Sequence, residues 1–405
     1  MRNKIIKLIF LPLSLLIAIF VMALRPFFII RFCFIPDVRV GHLLHDIAVY
    51  LIERDLQKKN KTKLPFDVFC FGDPKFTSNN FIKEKWSKKL FVVTPHIVIP
   101  VKKILKLFCE ILNYKNFHEI YLASNSSYNT NILNLVNNSS YLLEFSDMEK
   151  KKGELILQKL GIPKGEKYIL LIIRDANYLK TRFPNNDWSY WDYRNQNIEN
   201  FLELINDLVN KGYYVVRLGK NVSKELSLKH PKIIDYPYSD HTSDFFDIYL
   251  CANCYFCITT DTGINFACKI FNRPMLGIEY PTFEPNIVHH CDLITLPMFY
   301  DENNKKILTL DELLKKVEDP KIFNSMTLKK FNLKLIHNTS EEIKNAGADM
   351  IKHLSKSNDN YDDQNKFWDR IVSHSNSKTN SIYKGKIKAK VCKSFYTKYN
   401  QYLEK

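Results

Sequence analysis

Glycine is scarce in this chain, with 11 residues out of 405. So low a content argues against repeat architectures and long flexible linkers. The glycine-rich phosphate loops are missing as well, because neither the Walker sequence nor the Gly-x-Gly-x-x-Gly pattern of dinucleotide-binding proteins occurs. There is no Gly-x-Ser-x-Gly hydrolase turn, and no group of residues has convincing zinc spacing. We therefore expect no resident metal or cofactor.

Cysteine is present but shows no disulfide framework. The nine cysteines are an odd number without regular spacing, which favours a reducing compartment. Cys251, Cys254 and Cys257 are evenly spaced and Cys268 follows, so iron–sulfur ligands are one interpretation. We favour the other, small buried hydrophobic residues, because these cysteines fall in helix-like and strand-like runs.

The composition is that of a folded protein with a strong positive charge. With 405 residues, 45% hydrophobic and 13% aromatic, the chain is expected to form two domains. A solvated lysine surface explains the net charge of +16, and attraction to anionic lipid or a phosphorylated substrate is the functional alternative. Nucleic acid is not an expected partner, because no helix-turn-helix, RNA-binding aromatic signature or zinc module is present.

Residues 1–36 predict a hydrophobic membrane anchor. Residues 8–24 carry no charge, basic residues precede them, and a second apolar run covers 27–35. At ~1.5 Å per residue the first run reaches ~25 Å, slightly short of a ~30 Å hydrocarbon layer. It is therefore a short transmembrane anchor or a segment lying in the membrane interface. Either mode predicts a membrane-associated protein whose globular part is cytoplasmic.

Residues 37–150 are predicted to form a first α/β domain. Strand-like runs at 38–40, 66–71, 90–93 and 119–123 alternate with helix-like runs at 43–60 and 99–112. Strands that alternate with helices indicate βαβ units and a parallel sheet.

A second α/β domain is predicted over residues 151–354. Just before it, a helix over 148–160 ends at Gly161, with Pro163 beyond it. The strand-like runs are 168–173, 213–217, 255–259 and 275–278, and the helix-like runs are 197–210, 245–253 and 263–270. Capping boxes at Thr309 and Thr339 start two further helices. Residues 355–405 are polar and basic, and we expect a partly disordered tail.

Charged residues follow the buried strands of this second domain. Residues 168–173 have almost no polar group, as in a strand buried on both faces, and Arg174 and Asp175 come directly after them. Open α/β sheets bind ligands at the carboxyl edge of their strands, so Arg174 is the first candidate for holding an anion. Further candidates stand at other strand ends, in turns or at helix starts: Arg217, Gly219, Ser243, Asp244, Thr260, Asp261, Thr262 and Gly263.

Each candidate also has a structural interpretation. As structural elements, Arg174 and Asp175 would form an ion pair, and Arg217 would cover the edge of the sheet. Residues 243–244 would cap a helix. Asp261 suits a residue that stabilises its turn. The joint pattern is more specific, because two arginines and a helix start near residues 260–264 suit a diphosphate.

These motifs resemble a family of bacterial glycosyltransferases from surface-polysaccharide gene clusters. The resemblance covers roughly residues 38–354, is densest over 160–280, and rests on the segments 39–43, 168–178, 192–195, 197–200, 212–219, 243–249, 252–254 and 259–263. It implies a GT-B-like α/β fold, with two Rossmann-type domains facing each other across a cleft. It also implies hexosyl-type transfer from a nucleotide-sugar donor to a cell-surface polysaccharide or lipid-linked glycan.

The resemblance also implies donor-side roles. In fucosyltransferase-type enzymes an arginine at a strand end holds the donor diphosphate, and Arg174 takes that place here, with Ile172 where a histidine is expected. Arg174, Arg217 and the 260–264 helix start would stabilise the leaving diphosphate without a metal. Other residues expected to line the donor pocket or touch the nucleoside are Tyr178, Tyr193, Arg194, Asn195 and Glu279.

The first domain would then supply the acceptor site. Gly41 would allow close approach to its first strand end, and His42 or Asp46 is the candidate base. For His42 a purely structural role is the alternative.

Two other functions stay open. The first is a nucleotide-sugar epimerase or hydrolase of GT-B fold, which would need no lipid acceptor and so leaves the anchor unexplained. The second is a non-catalytic, membrane-attached assembly protein, which Ile172 and the unusual 259–263 turn keep open.

Overall fold

The structure, a computed structural model, describes residues 2–61, 63–122, 142–280, 291–317, 324–355, 361, 364–378 and 387–404. The chain divides into two compact units, Met1–Ser127 and Tyr128–Lys405. This division falls before the boundary predicted near residue 150. The reason is that the helix starting at Asp147 packs within the second unit. There the Tyr249 ring lies against Gly153, and the Tyr249 hydroxyl donates to the Lys150 carbonyl (3.4 Å).

The first unit is built on two parallel strands. They are β1 (Ile30–Ile35) and β2 (Phe66–Phe71). Its described helices are α1 (Arg2–Leu24), α2 (Val40–Lys59), α3 (Asn80–Ser87) and α4 (Pro95–Ile111). The predicted strand at 38–40 is wrong, because α2 already begins at Val40. The predicted strands at 90–93 and 119–123 are reduced to single bridges at Val92 and Glu119, and residue 123 lies outside the described residues.

The apolar N-terminus contributes to the core of this unit. Ala18 and Val21 of α1 are buried together with Phe32 of β1, Val68 of β2 and Val98 of α4. Residues 30–35, predicted as anchor, form β1 because they pair with β2. An anchor separate from the globular part is therefore not supported. Among the described residues, no helix has both the length and the apolar character needed to cross a bilayer.

The second unit contains a seven-stranded parallel sheet. The strands are β3 (Tyr168–Ile172), β4 (Tyr214–Arg217), β5 (Ile233–Asp235), β6 (Phe256–Thr259), β7 (Met275–Gly277), β8 (Leu293–Ile294) and β12 (Lys390–Val391). Their order in the sheet is β12–β8–β7–β6–β3–β4–β5. The chain runs from β3 outward to β5 and then returns to β6 on the other side of β3. The junction of β3 and β6 is thus the topological switch point, where open α/β sheets bind ligands.

Helices and a small second sheet complete this unit. The antiparallel sheet has the order β10–β9–β11, with β9 (Met298–Asp301), β10 (Lys306–Ile307) and β11 (Leu333–Ile336). The helices are α5 (Asp147–Lys159), α6 (Asn177–Arg182), α7 (Leu202–Asn210), α8 (Asp244–Asn253), α9 (Asn265–Ile270), α10 (Leu310–Lys316), α11 (Ser325–Lys330), α12 (Ser340–Leu354), α13 (Asn365–Lys378) and α14 (Lys393–Leu403). Both predicted capping boxes are confirmed, at Thr309 and at Thr339.

Within the predicted polar tail, residues 387–404 include a strand and a helix. Strand β12 extends the sheet beside β8. The side chain of Gln364 clamps Val391 by donating to its carbonyl and accepting from its N–H, both at 2.8 Å. Helix α14 is tied to α12, because Tyr399 donates its hydroxyl to Glu342 at 2.7 Å. The strand of two residues and the amphipathic helix were not predicted, because the segment is polar in composition.

Candidate functional site

Three segments meet at the carboxyl ends of β3 and β6. Ile172 of β3 is aligned with Thr259 of β6, so the residues after each strand are neighbours. The backbone N–H of Arg174 donates to the Thr260 hydroxyl (2.7 Å), and the backbone N–H of Gln196 donates to the Arg174 carbonyl (3.1 Å). Arg174 therefore joins the end of β3 to the turn after β6 and to the segment around residue 196.

A solvent-open cleft lies at this edge. Its lining combines charged, polar and apolar residues: Tyr193, Arg194, Gln196, Thr260, Asp261, Ile278, Glu279, Pro297 and Leu335. The sequence predicted five of these positions, namely 193, 194, 260, 261 and 279. Such a mixture of apolar walls and a few converging polar groups is typical of a small-molecule site.

Arg194 is the central cation of this cleft. Its guanidinium forms an ion pair with the Asp261 carboxylate and also donates to the Asp261 carbonyl (2.7 Å). Its guanidinium carbon lies 4.9 Å from the centre of the Trp191 ring, in cation–π distance. Aromatic and acidic neighbours thus hold the side chain in one orientation at the cleft.

Several buried polar atoms at this edge have no hydrogen-bond partner within the described part of the chain. They are Arg194 Nε, Asn195 Oδ1 and Thr262 Oγ1. Leaving a buried polar atom unpaired costs about 1–3 kcal/mol, so native proteins rarely do so without a reason. A bound ligand with acceptor and donor groups would supply the missing partners.

Glu279 is the buried acid of the cleft. Its carboxylate accepts hydrogen bonds from the side chain of Gln196, from the Asn338 backbone N–H (2.5 Å) and from His337 Nδ1 (2.7 Å). The hydrogen bond to Glu279 raises the pKa of His337, although partial burial opposes the shift. A network of this kind fixes the carboxylate position.

Two residues of the cleft have left-handed backbone conformations. Asp261 and Glu279 both have φ near 51°. This region costs a non-glycine residue about 1–2 kcal/mol, and strained residues of this kind cluster at functional sites. Both carboxylates form the contacts described above.

Arg217 is not among the residues that line the cleft. It is 3% exposed, and its guanidinium donates to the Lys224 carbonyl (2.7 Å) and lies 3.4 Å from Asp235 Oδ1. Arg217 and Asp235 are directly opposite each other on β4 and β5. The structure therefore corrects the expectation that Arg217 joins Arg174 at an anion site, because the neighbouring strand already supplies its carboxylate.

Other predicted donor residues also have local structural partners. The Ser243 hydroxyl caps α8 by accepting from the Phe246 N–H (3.2 Å), and Asp244 pairs with Lys220 (2.6 Å). A Cβ at Gly219 would lie 2.6 Å from Val222, so this glycine serves a close approach. The other predicted positions outside the cleft lining are Arg174 after β3, Tyr178 in α6, Asn195, and Thr262 and Gly263 in the turn before α9.

The expected helix start at residues 260–264 is also shifted. Helix α9 begins at Asn265 and has only six residues. No side chain caps it, and Asn265 instead donates to the Tyr280 hydroxyl (2.8 Å). Side chains of the preceding turn, rather than a helix terminus, therefore present the polar groups at this edge.

Asp175 fixes a different loop. Its carboxylate accepts from the N–H groups of Asn177 (2.6 Å) and Ser223 (2.8 Å) and from the Ser223 hydroxyl (2.5 Å). Burial opposes ionisation, but these hydrogen bonds lower the pKa of Asp175 below its usual value.

In the first unit, the candidate acceptor-side residues lie on α2. Gly41 is a helical residue near the start of α2, so its predicted place at a strand end is corrected. Asp46 is 1% exposed, with Nδ1 of His42 at 3.5 Å and Nδ1 of His45 at 3.2 Å from its carboxylate oxygens. Both imidazoles are thus within ion-pair distance of Asp46, and its hydrogen bond is with His45. His45 was not predicted, although its position beside Asp46 was visible in the sequence.

The clustered cysteines are all inside the protein. Cys251, Cys254, Cys257 and Cys268 are fully buried, and desolvation raises the pKa of each thiol. A raised pKa disfavours the thiolate that metal ligation requires. Across the described ranges, no group of three or more His, Cys, Asp or Glu residues has a metal-binding arrangement. Their burial supports the packing interpretation.

Comparisons with known proteins give only remote structural similarity. No family model matches the chain, and no curated protein matches its sequence. The chain is similar to the ADP-heptose lipopolysaccharide heptosyltransferase II of E. coli (13% identity, 61% of this chain and 84% of that one, TM-score 0.33). It is also similar to a family 9 glycosyl transferase from Veillonella parvula (11% identity, 62% and 79%, TM-score 0.36). A third structure is E. coli heptosyltransferase WaaC with ADP (11% identity, 64% and 89%, TM-score 0.27).

Four lining residues and two supporting residues escaped the sequence analysis. The lining residues are Gln196, Ile278, Pro297 and Leu335, and the supporting ones are His337 and Asn338. Gln196 directly follows the segment 192–195, so extending that motif by one residue would have found it. The others lie directly after β7, after β8, and in or just after β11, and these short strands carry little periodic signal.

Proposed function

We propose that the second unit binds a nucleoside diphosphate sugar and that the protein is a glycosyltransferase. The observation that carries this proposal is the cleft at the switch point, where Arg194 stands beside buried polar atoms that find no partner among the described residues. A diphosphate offers acceptor oxygens for Arg194 Nε and the Thr262 hydroxyl. Charge-assisted hydrogen bonds of this kind are worth about 1.5–3 kcal/mol each.

In the proposed reaction, the bond between the anomeric carbon of the sugar and the phosphate oxygen breaks. Its electron pair remains on the departing nucleoside diphosphate, and the oxygen of an acceptor hydroxyl forms the new bond to the anomeric carbon. Arg194, together with Arg174, would stabilise the growing negative charge on the diphosphate. In this proposal the positive side chains replace the metal ion that often stabilises such a charge. Glu279, fixed by its three donors, would contact the nucleoside.

The proton of the acceptor hydroxyl needs a base, and we propose His42 for this role. Asp46 is buried, with its carboxylate 3.5 Å from His42 Nδ1, so it would hold the ring and stabilise its protonated form. The acceptor we propose is a cell-surface polysaccharide or lipid-linked glycan, and the transferred sugar is of hexosyl type. A lipid-linked acceptor would place the reaction at the cytoplasmic face of a membrane.

The test is equilibrium binding of ADP, UDP, GDP and CDP to the full-length protein by titration calorimetry. We expect at least one of them to bind. The Arg194→Ala substitution should lower the affinity for that nucleotide by at least tenfold. Transfer of sugar should fall by about 10²–10³-fold, the usual cost of losing one group that stabilises developing charge.

The matched control is Arg370→Ala. Arg370 is also in the second unit and also pairs with a carboxylate, that of Asp311, but it does not line the cleft. This variant should bind nucleotide as the wild type does. If no nucleoside diphosphate binds the wild type, the proposal is wrong and a non-catalytic role is favoured. Release of free sugar from donor alone, without any acceptor, would instead indicate a hydrolase.

A further inference from the structure

The outer face of α1 is unusual because it is entirely apolar over residues 9–24. Residues 8–24 contain one polar side chain, Ser14, and it is fully buried, with its hydroxyl donating to the Phe10 carbonyl (2.8 Å). Over residues 9–24, seven large apolar side chains are exposed instead, and Leu16 and Phe20 are 65% and 61% exposed. The exposed set is Ile9, Leu11, Leu13, Leu15, Leu16, Ile19 and Phe20.

This pattern is the reverse of an ordinary surface helix. A surface helix directs its apolar stripe to the core and its polar residues to water. In α1 the core side is already used, because Ala18 and Val21 pack against β1, β2 and α4. The remaining face is a contiguous apolar surface, and surfaces of this kind mark sites of contact with a protein or a membrane.

Beside the C-terminal end of α1, exposed aromatic rings are interleaved with cations. The Arg25 guanidinium carbon lies 4.2 Å from the centre of the Tyr114 ring, and Lys115 Nζ lies 5.4 Å from that of Phe117. Lys63 donates to the carbonyl of Phe27, whose side chain is 71% exposed (Nζ to O, 2.9 Å). We call these six residues, 25, 27, 63, 114, 115 and 117, the aromatic–cation belt. Aromatic rings with lysine or arginine beside them are the groups that settle at lipid headgroups.

We propose that the outer face of α1 and the aromatic–cation belt lie in the interface of a bilayer that contains anionic lipid, with α1 parallel to the membrane plane. The charge of the belt favours lipid over a second copy of this chain, since two copies would bring like charges together. The parallel orientation follows from the core contacts of α1. A helix that crossed the bilayer alone would have to expose Ser14, Ala18 and Val21 to lipid.

The experiment is sedimentation of the purified full-length protein with vesicles. One vesicle population is phosphatidylcholine alone, and the other is phosphatidylcholine with phosphatidylglycerol at 3:1. We expect binding to the anionic vesicles, and the double variant Leu16→Gln/Phe20→Gln should lower the partition coefficient at least tenfold, because two large apolar side chains are lost from the interface. Both side chains are exposed, so the circular dichroism spectrum and melting temperature of this double variant should match those of the wild type.

The matched control is Met148→Gln/Leu155→Gln, which makes the same kind of change at two exposed apolar residues of α5, in the second unit. It should bind vesicles as the wild type does. The pair Lys63→Gln/Lys115→Gln should weaken binding severalfold on anionic vesicles and little on neutral ones.

Three results would overturn the inference. The first is a wild type that does not sediment with anionic vesicles, and the second is a Leu16→Gln/Phe20→Gln variant that binds them normally. The third is resistance of the bound wild type to alkaline carbonate extraction, which would indicate a spanning helix. If vesicle binding is absent and light scattering shows a dimer that the same double variant dissociates, the face covers a second copy. None of these readouts depends on nucleotide, so failure here leaves the proposed function untouched.

Discussion

The carboxyl edge of the seven-stranded sheet has two regions that differ in how their arginines are used. At β4 and β5, Arg217 is buried opposite Asp235, and it also reaches the Lys224 carbonyl. At β3 and β6, Arg194 lines an open cleft and leaves its Nε without a partner in the described residues. The comparison teaches that a cation at a sheet edge serves the fold where the adjacent strand supplies its carboxylate. We propose that it serves a ligand where its partners within the described residues are incomplete, as at Arg194.

The largest difference between the two regions should appear in stability. Arg217→Ala would leave Asp235 without its buried cation, and breaking a buried pair in this way typically costs about 3–5 kcal/mol. Urea unfolding should show this loss, while the affinity of the folded variant for nucleoside diphosphate stays unchanged. Arg370→Ala, at a more exposed ion pair, is the control and should cost less than about 1 kcal/mol. A stable Arg217→Ala variant with weakened nucleotide binding would reverse the comparison.

The next difference concerns Asp261, which would compete with the proposed nucleotide ligand for Arg194. Asp261→Asn keeps a residue that tolerates the left-handed backbone but removes the charge paired with the guanidinium. We therefore expect nucleoside diphosphates without sugar to bind roughly threefold to tenfold more tightly, as about 1 kcal/mol of competing attraction is lost. Titration calorimetry measures this, with Asp244→Asn as the control because Asp244 pairs with Lys220 and does not line the cleft. Weaker binding by Asp261→Asn would place Asp261 among the ligand contacts instead.

The sequence predicted the sheet edge well, because long apolar strands and capping residues are local signals. The strands around Leu170, Val216 and Ile258 are present, and both threonine capping boxes form. Arg174 does lie at the switch point. These features follow from patterns within a few residues, which sequence periodicity records.

The features that the sequence did not predict depend on contacts between distant residues. Strand β5 has three residues, so neither it nor the pairing of Asp235 with Arg217 could be recognised. The N-terminal apolar run suggested a free anchor, but whether Val21 faces lipid or a protein core is decided by α4 and β2. His337 reaches Glu279 across 58 residues of sequence, and no local signal marks that contact.

The smallest expected effect lies within the cleft. It is the pH dependence of the stability that the His337–Glu279 pair contributes. The pKa of His337 is raised in the folded protein, so the pair contributes stability that is fully present below the unfolded value of about 6.5 and is lost as pH rises through the folded value. His337→Gln should therefore lower the melting temperature at pH 5.5 and change it little at pH 9. The difference should correspond to less than about 1 kcal/mol, because the His337 side chain is 46% exposed and solvent screens the pair. His241→Gln is the control, since within the described ranges no ion pair involves His241, and it should show no such dependence. A melting-temperature difference for His337→Gln that is equal at both pH values would mean that the histidine contributes packing rather than charge to the cleft.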